Sequence, residues 1–190
     1  MDVRIGEDDG QRALFVDGVV QSILIEPDTP WDSYWAAMLP DQRPRQALLL
    51  GLGGGTIAQL LHQRFGPVPI VGVDDDPQVL ALARESRWLD LPNLHIEQAD
   101  AFEFVAQCAD QFSLVCVDLY RGPAFDRRIV SRPFLRGLTR LLEPGGLVTF
   151  NLYRDRRAPT AVRRIHRLLR IVQQTPCGKN LVVHARPGRH

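Results

Sequence analysis

Leu48-Leu49-Leu50-Gly51-Leu52-Gly53-Gly54-Gly55-Thr56, with Asp74-Asp75-Asp76 downstream of it, decides how this chain folds. Gln46 to Leu50 is apolar without alternation, which is the pattern of a strand buried on both faces in the middle of a parallel sheet. Glycines directly after such a strand let the backbone turn tightly and bring its amides against a ligand beside a helix N-terminus. The helix is predicted over Thr56 to Phe65 and is stopped by Gly66-Pro67. The nicotinamide fingerprint requires its last glycine at position 56, where this chain has Thr. Gly51, Gly53 and Gly55 fit better a loop that wraps a methionine-like tail and its ribose.

Downstream, strands and helices alternate. Ile70 to Val73 reads as a strand, and Asp76-Pro77 opens a helix with Asp as N-cap and Pro at the first helical position. Leu94 to Ile96 is a third strand, Ala101 to Cys108 a short helix and Phe112 to Val117 a fourth strand. Pro133 to Leu142 reads as helix, and Glu143-Pro144-Gly145-Gly146 turns into a strand over Leu147 to Asn151. An amphipathic helix over Ala158 to Leu169 precedes two closing strands near Arg170 to Gln174 and Leu181 to Ala185. The implied class is α/β: a mostly parallel seven-stranded sheet with helices on both faces and an antiparallel last strand.

Upstream, Ala13 to Val16 and Val19 to Ile25 flank Asp17-Gly18, a hairpin signal, and a short strand at Val3 to Ile5 joins them across Asp8-Asp9-Gly10. Residues 1–30 therefore form a small N-terminal β-hairpin element and 31–190 the ligand-binding domain. A short helix is expected from Trp31 or Asp32 to Leu39, and Pro40 to Arg45 as a linker.

At 190 residues and 45% hydrophobic the chain has room for one domain with a full core. No apolar run nears the roughly 20 residues a membrane helix needs, and the acidic N-terminus is unlike a secretory signal. Three scattered cysteines argue against a disulfide framework, so a reduced, cytoplasmic setting is expected. Charge is asymmetric: residues 1–118 hold 19 acids against 7 arginines, and residues 119–190 hold 3 acids against 16 basic residues. Trp31, Trp35 and Trp88 make no stacking pattern of the kind single-strand binders use, so nucleic acid is not an expected partner. No metal is expected either, because Asp76 has a capping role and no histidine accompanies the Asp74-Asp75-Asp76 run.

Acids at successive strand ends converge on one crevice in an open parallel sheet. Asp74 can accept from both ribose hydroxyls of an adenosine, and Asp75 continues the acidic run beside it. Asp100 can accept from an adenine amine while Ala101 supplies a backbone contact, and it can cap the following helix at the same time. Asp118 closes the fourth strand, followed by Leu119-Tyr120-Arg121. One glycine loop and three strand-end acids point to an adenosyl site.

With these residues in place the chain resembles the spermidine synthase family and its relatives of the class I S-adenosylmethionine-dependent methyltransferase fold, a Rossmann-like sandwich. Leu14 to Ser22 is similar to that family's N-terminal hairpin, and Tyr34-Trp35-Ala36-Ala37-Met38-Leu39-Pro40 to its tyrosine-bearing segment. The resemblance implies that Gln21, Gly51, Asp74, Asp100 and Ala101 contact the nucleoside and that Tyr34 and Asp118 face the reacting centre. It also implies a homodimer. Two departures matter. Aminopropyltransferases of the family hold an acid in the glycine loop, where this chain aligns Gly54, and an Asp-x-x-Asp pair, whose second position here is Arg121. Losing an acid and gaining an arginine weakens a site for polycations.

The expected function is S-adenosylmethionine-dependent methyl transfer to a small molecule, an acidic one being suited by Arg121, Arg154 and Arg156 near strand ends, with Asp118 as base and Tyr34 and Tyr120 around the acceptor. The alternatives are aminopropyl transfer from decarboxylated S-adenosylmethionine to a polyamine, and an adenosyl-ligand binder without catalysis.

Overall fold

The N-terminal segment of the computed structural model, which describes residues 2–121 and 124–188, pairs as three antiparallel strands: β1 (Val3–Asp8), β2 (Gln11–Val16) and β3 (Val19–Ile23). Asp9-Gly10 and Asp17-Gly18 all have positive φ, the turn chemistry that matches right-twisted hairpins. β3 ends two residues earlier than its apolar pattern predicts, because the chain leaves the sheet to dock elsewhere. Ile23 gives its N–H to Thr56 Oγ1 at 2.9 Å and its carbonyl accepts the same hydroxyl at 2.8 Å, and Ile25 N–H reaches Gln59 Oε1 at 2.8 Å.

Helix α1 (Tyr34–Ala37) is a single turn capped by Ser33, shorter than the predicted Trp31-to-Leu39 span, and Trp31 lies exposed outside it. Strands and helices then alternate: β4 (Ala47–Leu50), α2 (Thr56–Phe65), β5 (Ile70–Asp74), α3 (Pro77–Glu85), β6 (Leu94–Gln98), α4 (Ala101–Gln107) and β7 (Phe112–Val117). Next come two short paired strands, β8 (Tyr120–Arg121) and β9 (Ala124–Phe125), and a 3₁₀ turn over Arg127–Val130. The sequence pattern carries no signal for these three. The chain ends with α5 (Arg132–Leu141), β10 (Leu142–Tyr153), α6 (Ala158–His166), β11 (Leu169–Cys177) and β12 (Asn180–Pro187). α6 stops short of its predicted end because Leu169, almost fully buried, already pairs with Pro187.

The main sheet has the order β11-β12-β10-β7-β4-β5-β6. β10, β7, β4, β5 and β6 are mutually parallel, and β12 runs antiparallel to both of its neighbours, as the sequence predicts. β4 shows why its run is unbroken. Ala47 and Leu49 enter one core, with α2, α3 and the N-terminal sheet, while Leu48 and Leu50 enter the other, with α4, α5 and α6. The chain runs from β4 outward to β5 and β6 and then returns to β7 on the other side. The ends of β4 and β7 are therefore the point where an open α/β sheet forms its crevice. Among the described residues no helix is long and apolar enough to cross a membrane. The cysteines are free, and Cys116, fully buried, has its thiol pushed up to about 12 by desolvation.

Candidate functional site

At the end of β4 the chain turns through Gly51, Gly53 and Gly55, all with positive φ. Gly51 passes so close to β7 that a Cβ there would lie 2.2 Å from the Asp118 carbonyl oxygen. Only glycine fits that approach, and it sets the nucleotide loop against the strand end that carries Asp118. The loop is also tied to β5: Asp74 Oδ2 accepts the Gly53 N–H at 2.7 Å, and Oδ1 accepts that of Asp76 at 3.0 Å. Burial holds the Asp74 pKa above the usual carboxylate value, and these two amides offset part of that rise. Each carboxylate oxygen keeps a second lone pair, which suffices for two vicinal hydroxyls.

A cavity of about 780 Å³ opens over these strand ends, bounded opposite by the β2–β3 hairpin and α1. Gln21, Gly51, Gly53, Asp74 and Asp75 line it, as do Asp100 and Ala101. Tyr34, Asp118 and Tyr120 line its other end. Gly55 does not reach it. That residue supplies the left-handed N-cap of α2 and faces Leu89 and Trp88, so its part is in shaping the turn. The Arg121 side chain lies outside the described residues. Gly54 also faces away: a Cβ there would meet Ser22 Cβ and Trp88 Cε3 at 2.9 Å, and its N–H is held by Ser22 Oγ at 2.7 Å. Gly53, next to it, lines the cavity, although a Cβ there would meet Ser22 Oγ at 2.7 Å.

One end of the cavity is built for a flat, partly polar group. Asp100 Oδ1 caps α4 through the N–H groups of Phe102 and Glu103, leaving Oδ2 pointed at Arg128, 3.4 Å away. The Arg128 guanidinium lies 3.9 Å from the centre of the Phe102 ring and is also paired with Asp126 at 2.8 Å. Nothing local in the sequence separates Arg128 from the other arginines of this half. Its role comes from the 3₁₀ turn that carries it.

The other end is a polar relay. Asp118 Oδ1 accepts from Asn151 Nδ2 at 2.8 Å, Asn151 Oδ1 accepts from Asn180 Nδ2 at 2.8 Å, and the same amide is 3.3 Å from Tyr120 Oη. The Tyr34 hydroxyl is hydrogen-bonded to Asp118. Burial lifts Asp118 to about 6, against the stabilising bonds from Asn151 and Tyr34. Burial first, and then the Asp118 charge, pushes Tyr34 and Tyr120 above their ordinary range. At neutral pH the centre is therefore one carboxylate between two neutral phenols. Sequence reasoning passed over Asn151 and Asn180. The available signal was Asn151 itself, a fully buried amide at the end of an apolar strand, since such a group must have a partner. Among the described residues no group of three or more His, Cys, Asp or Glu side chains is placed to hold a metal.

Residues 47–146 match the methyltransferase-domain family. A polyamine aminopropyltransferase of Chromobacterium violaceum is 27% identical over 176 residues, 86% of this chain. The chain spans 67% of that relative's length and 62% of that of a Neisseria meningitidis protein of the same name. Among solved structures, a probable spermidine synthase from Corynebacterium glutamicum superposes with a TM-score of 0.79 at 19% identity, over 97% of this chain and 76% of that one. A spermidine synthase in complex with the transition-state analogue AdoDATO superposes with a TM-score of 0.74 at 18% identity, over 98% of this chain and 74% of that one. The chain belongs to the methyltransferase-domain family and has its spermidine synthase-like form of the fold.

Proposed function

We propose that the chain binds S-adenosylmethionine across the β4–β5–β6 strand ends and transfers its methyl group to a small acceptor held at Asp118. Asp74 would take the ribose hydroxyls, and Asp100, Ala101, Phe102 and Arg128 would enclose the adenine. The acceptor's lone pair attacks the methyl carbon, the C–S bonding pair returns to sulfur, and the acceptor proton passes to the Asp118 carboxylate. Such a reaction asks the protein for in-line placement and a base. The superposed spermidine synthase holding an adenosyl analogue supports the ligand class.

The observation that carries methyl over aminopropyl transfer is the absence of an acid from the glycine loop. The loop positions that line the cavity, Gly51, Leu52 and Gly53, carry no carboxylate, so nothing there attracts a bare ammonium or repels the amino acid carboxylate of intact S-adenosylmethionine. Aminopropyl transfer is the second reading, favoured by the names of the curated relatives. Thermal unfolding separates the two. At 100 times its dissociation constant a ligand adds about 2.7 kcal/mol, an upward shift of roughly 5–10 °C for a chain of this size. S-adenosylmethionine is expected to give the larger shift at matched concentration, and a larger one from the decarboxylated compound would overturn the methyl reading. Asp74→Ala should abolish the shift for both, since the ribose loses its acceptors while the loop loses the Gly53 tie.

A further inference from the structure

The acids of the cavity are unevenly placed. Asp74 ends β5 with Asp75 and Asp76 after it, Asp100 follows β6, and Asp126 is paired with Arg128, all at the adenosine end. Asp17, in the β2–β3 turn, has its Oδ1 held by the Asp2 amide at 2.8 Å. On the β7–β10–β12 side, among the described residues, Asp118 is the one carboxylate on the wall.

That side also presents a cation. Lys179, in the turn between β11 and β12, lines the cavity next to Asn180. The turn is fixed rather than loose. Lys179 O accepts the Arg154 N–H at 2.7 Å, the Arg154 guanidinium reaches Gly178 O at 3.3 Å, and Asn180 is tied through Asn151 to Asp118. Lys179 makes no ion pair among those found for the described residues. An acceptor reaching from Asp118 past Asn180 thus meets an acid first and the Lys179 ammonium second. A diamine would bury its first ammonium well and bring its second against like charge, which disfavours it.

We propose that the acceptor is a small zwitterion, an amine that docks at Asp118 and carries a carboxylate recognised by Lys179. The proposal rests on the adenosyl reading above. The nitrogen, once deprotonated at Asp118, offers its lone pair to the methyl carbon, while Lys179 positions the far end and takes no part in the bond changes.

The test uses the full chain saturated with methylthioadenosine, which fills the adenosyl end and leaves the acceptor end open. Calorimetric titrations compare matched pairs, 4-aminobutanoate with putrescine and 6-aminohexanoate with 1,6-diaminohexane. In each pair one end changes from carboxylate to ammonium at constant length. At least one amino acid should bind ten times or more tighter than its diamine. Lys179→Gln should erase that preference and Lys179→Glu reverse it, with methylthioadenosine affinity unchanged in both, as expected for an exposed turn residue. A diamine preference in the unmodified chain, or no binding by either member of both pairs at millimolar concentration, overturns the acceptor class alone. Failure of methylthioadenosine itself to bind overturns the adenosyl reading and this proposal with it.

Discussion

Asp118→Asn is expected to leave S-adenosylmethionine binding intact and to slow its conversion to S-adenosylhomocysteine by 100-fold or more in single-turnover assays with acceptor present, the range for loss of a general base. The geometry makes the substitution nearly isosteric: the new side chain can still accept from Asn151 Nδ2, and its amino group can donate to the Tyr34 hydroxyl. The pH profile gives an independent readout. Asp118 must be ionised to take a proton and its pKa is lifted to about 6, so kcat/KM should fall tenfold per unit below that pH and level off above it. The Asp118→Asn substitution should abolish that limb. A chain that only binds adenosyl ligands would show neither effect, because it would have no turnover to lose.

Stability should move the opposite way. The folded pKa of Asp118 is raised from the ordinary 3.8 to about 6, so the folded state binds this proton more tightly than the unfolded chain does. The contribution is therefore a destabilisation, absent below about pH 4, growing as pH rises through 6, and full above it. A shift of that size corresponds to at most roughly 3 kcal/mol, reduced by the carboxylate's partial access to the cavity. An amide in place of the carboxylate has no charge to desolvate, so Asp118→Asn should be the more stable chain at pH 8 and lose its advantage towards pH 4. Equal melting temperatures at pH 8 would mean that burial does not strain this carboxylate.

The parts of the site legible in the sequence are those fixed by strand ends. Asp74, Asp100 and Asp118 each follow an apolar run, and in a parallel sheet such positions share one edge whatever the helices do. The seven strands of the main sheet were legible for a related reason, since most of these runs are bounded by a helix with its own start and stop signals. What escaped depends on packing across the chain. Gly53 and Gly54 are chemically identical neighbours, and only their packing against Ser22 and Trp88 sets Gly53 on the cavity wall and Gly54 behind it. Arg128 is one arginine among fifteen in its half of the sequence. A two-strand ladder too short for any periodic signal precedes the 3₁₀ turn that brings it over Phe102. Lys179 lies in the short turn between the two closing strands and Asn180 opens the second of them, positions with no pattern of their own in the sequence. They reach the site because β12 inserts between β10 and β11 and so places that turn beside Tyr153.

Gly51→Ala is expected to be the most damaging small substitution in the loop, lowering stability by about 3 kcal/mol or more, a fall of roughly 10 °C in Tm. Two costs add. Gly51 has φ of +87°, where a Cβ brings strain of about 1–2 kcal/mol. That Cβ would also lie 2.2 Å from the Asp118 carbonyl oxygen and 2.9 Å from its carbon. The obstacle is backbone, tied to β4 by the bond from Asp118 N–H to Leu50 O, so no rotamer change relieves it. Gly66→Ala separates the two costs: Gly66 has φ of +74° and nothing within 4 Å of an added methyl, so it should show the conformational strain alone. If the two variants melt together, β4 and β7 have room to part and the close approach is not tight in solution. If Gly51→Ala melts well below Gly66→Ala, the displaced atom is the Asp118 backbone itself, and the same chain should lose acceptor turnover as well as adenosyl affinity. The loop glycine would then set the distance between the methyl donor and the base.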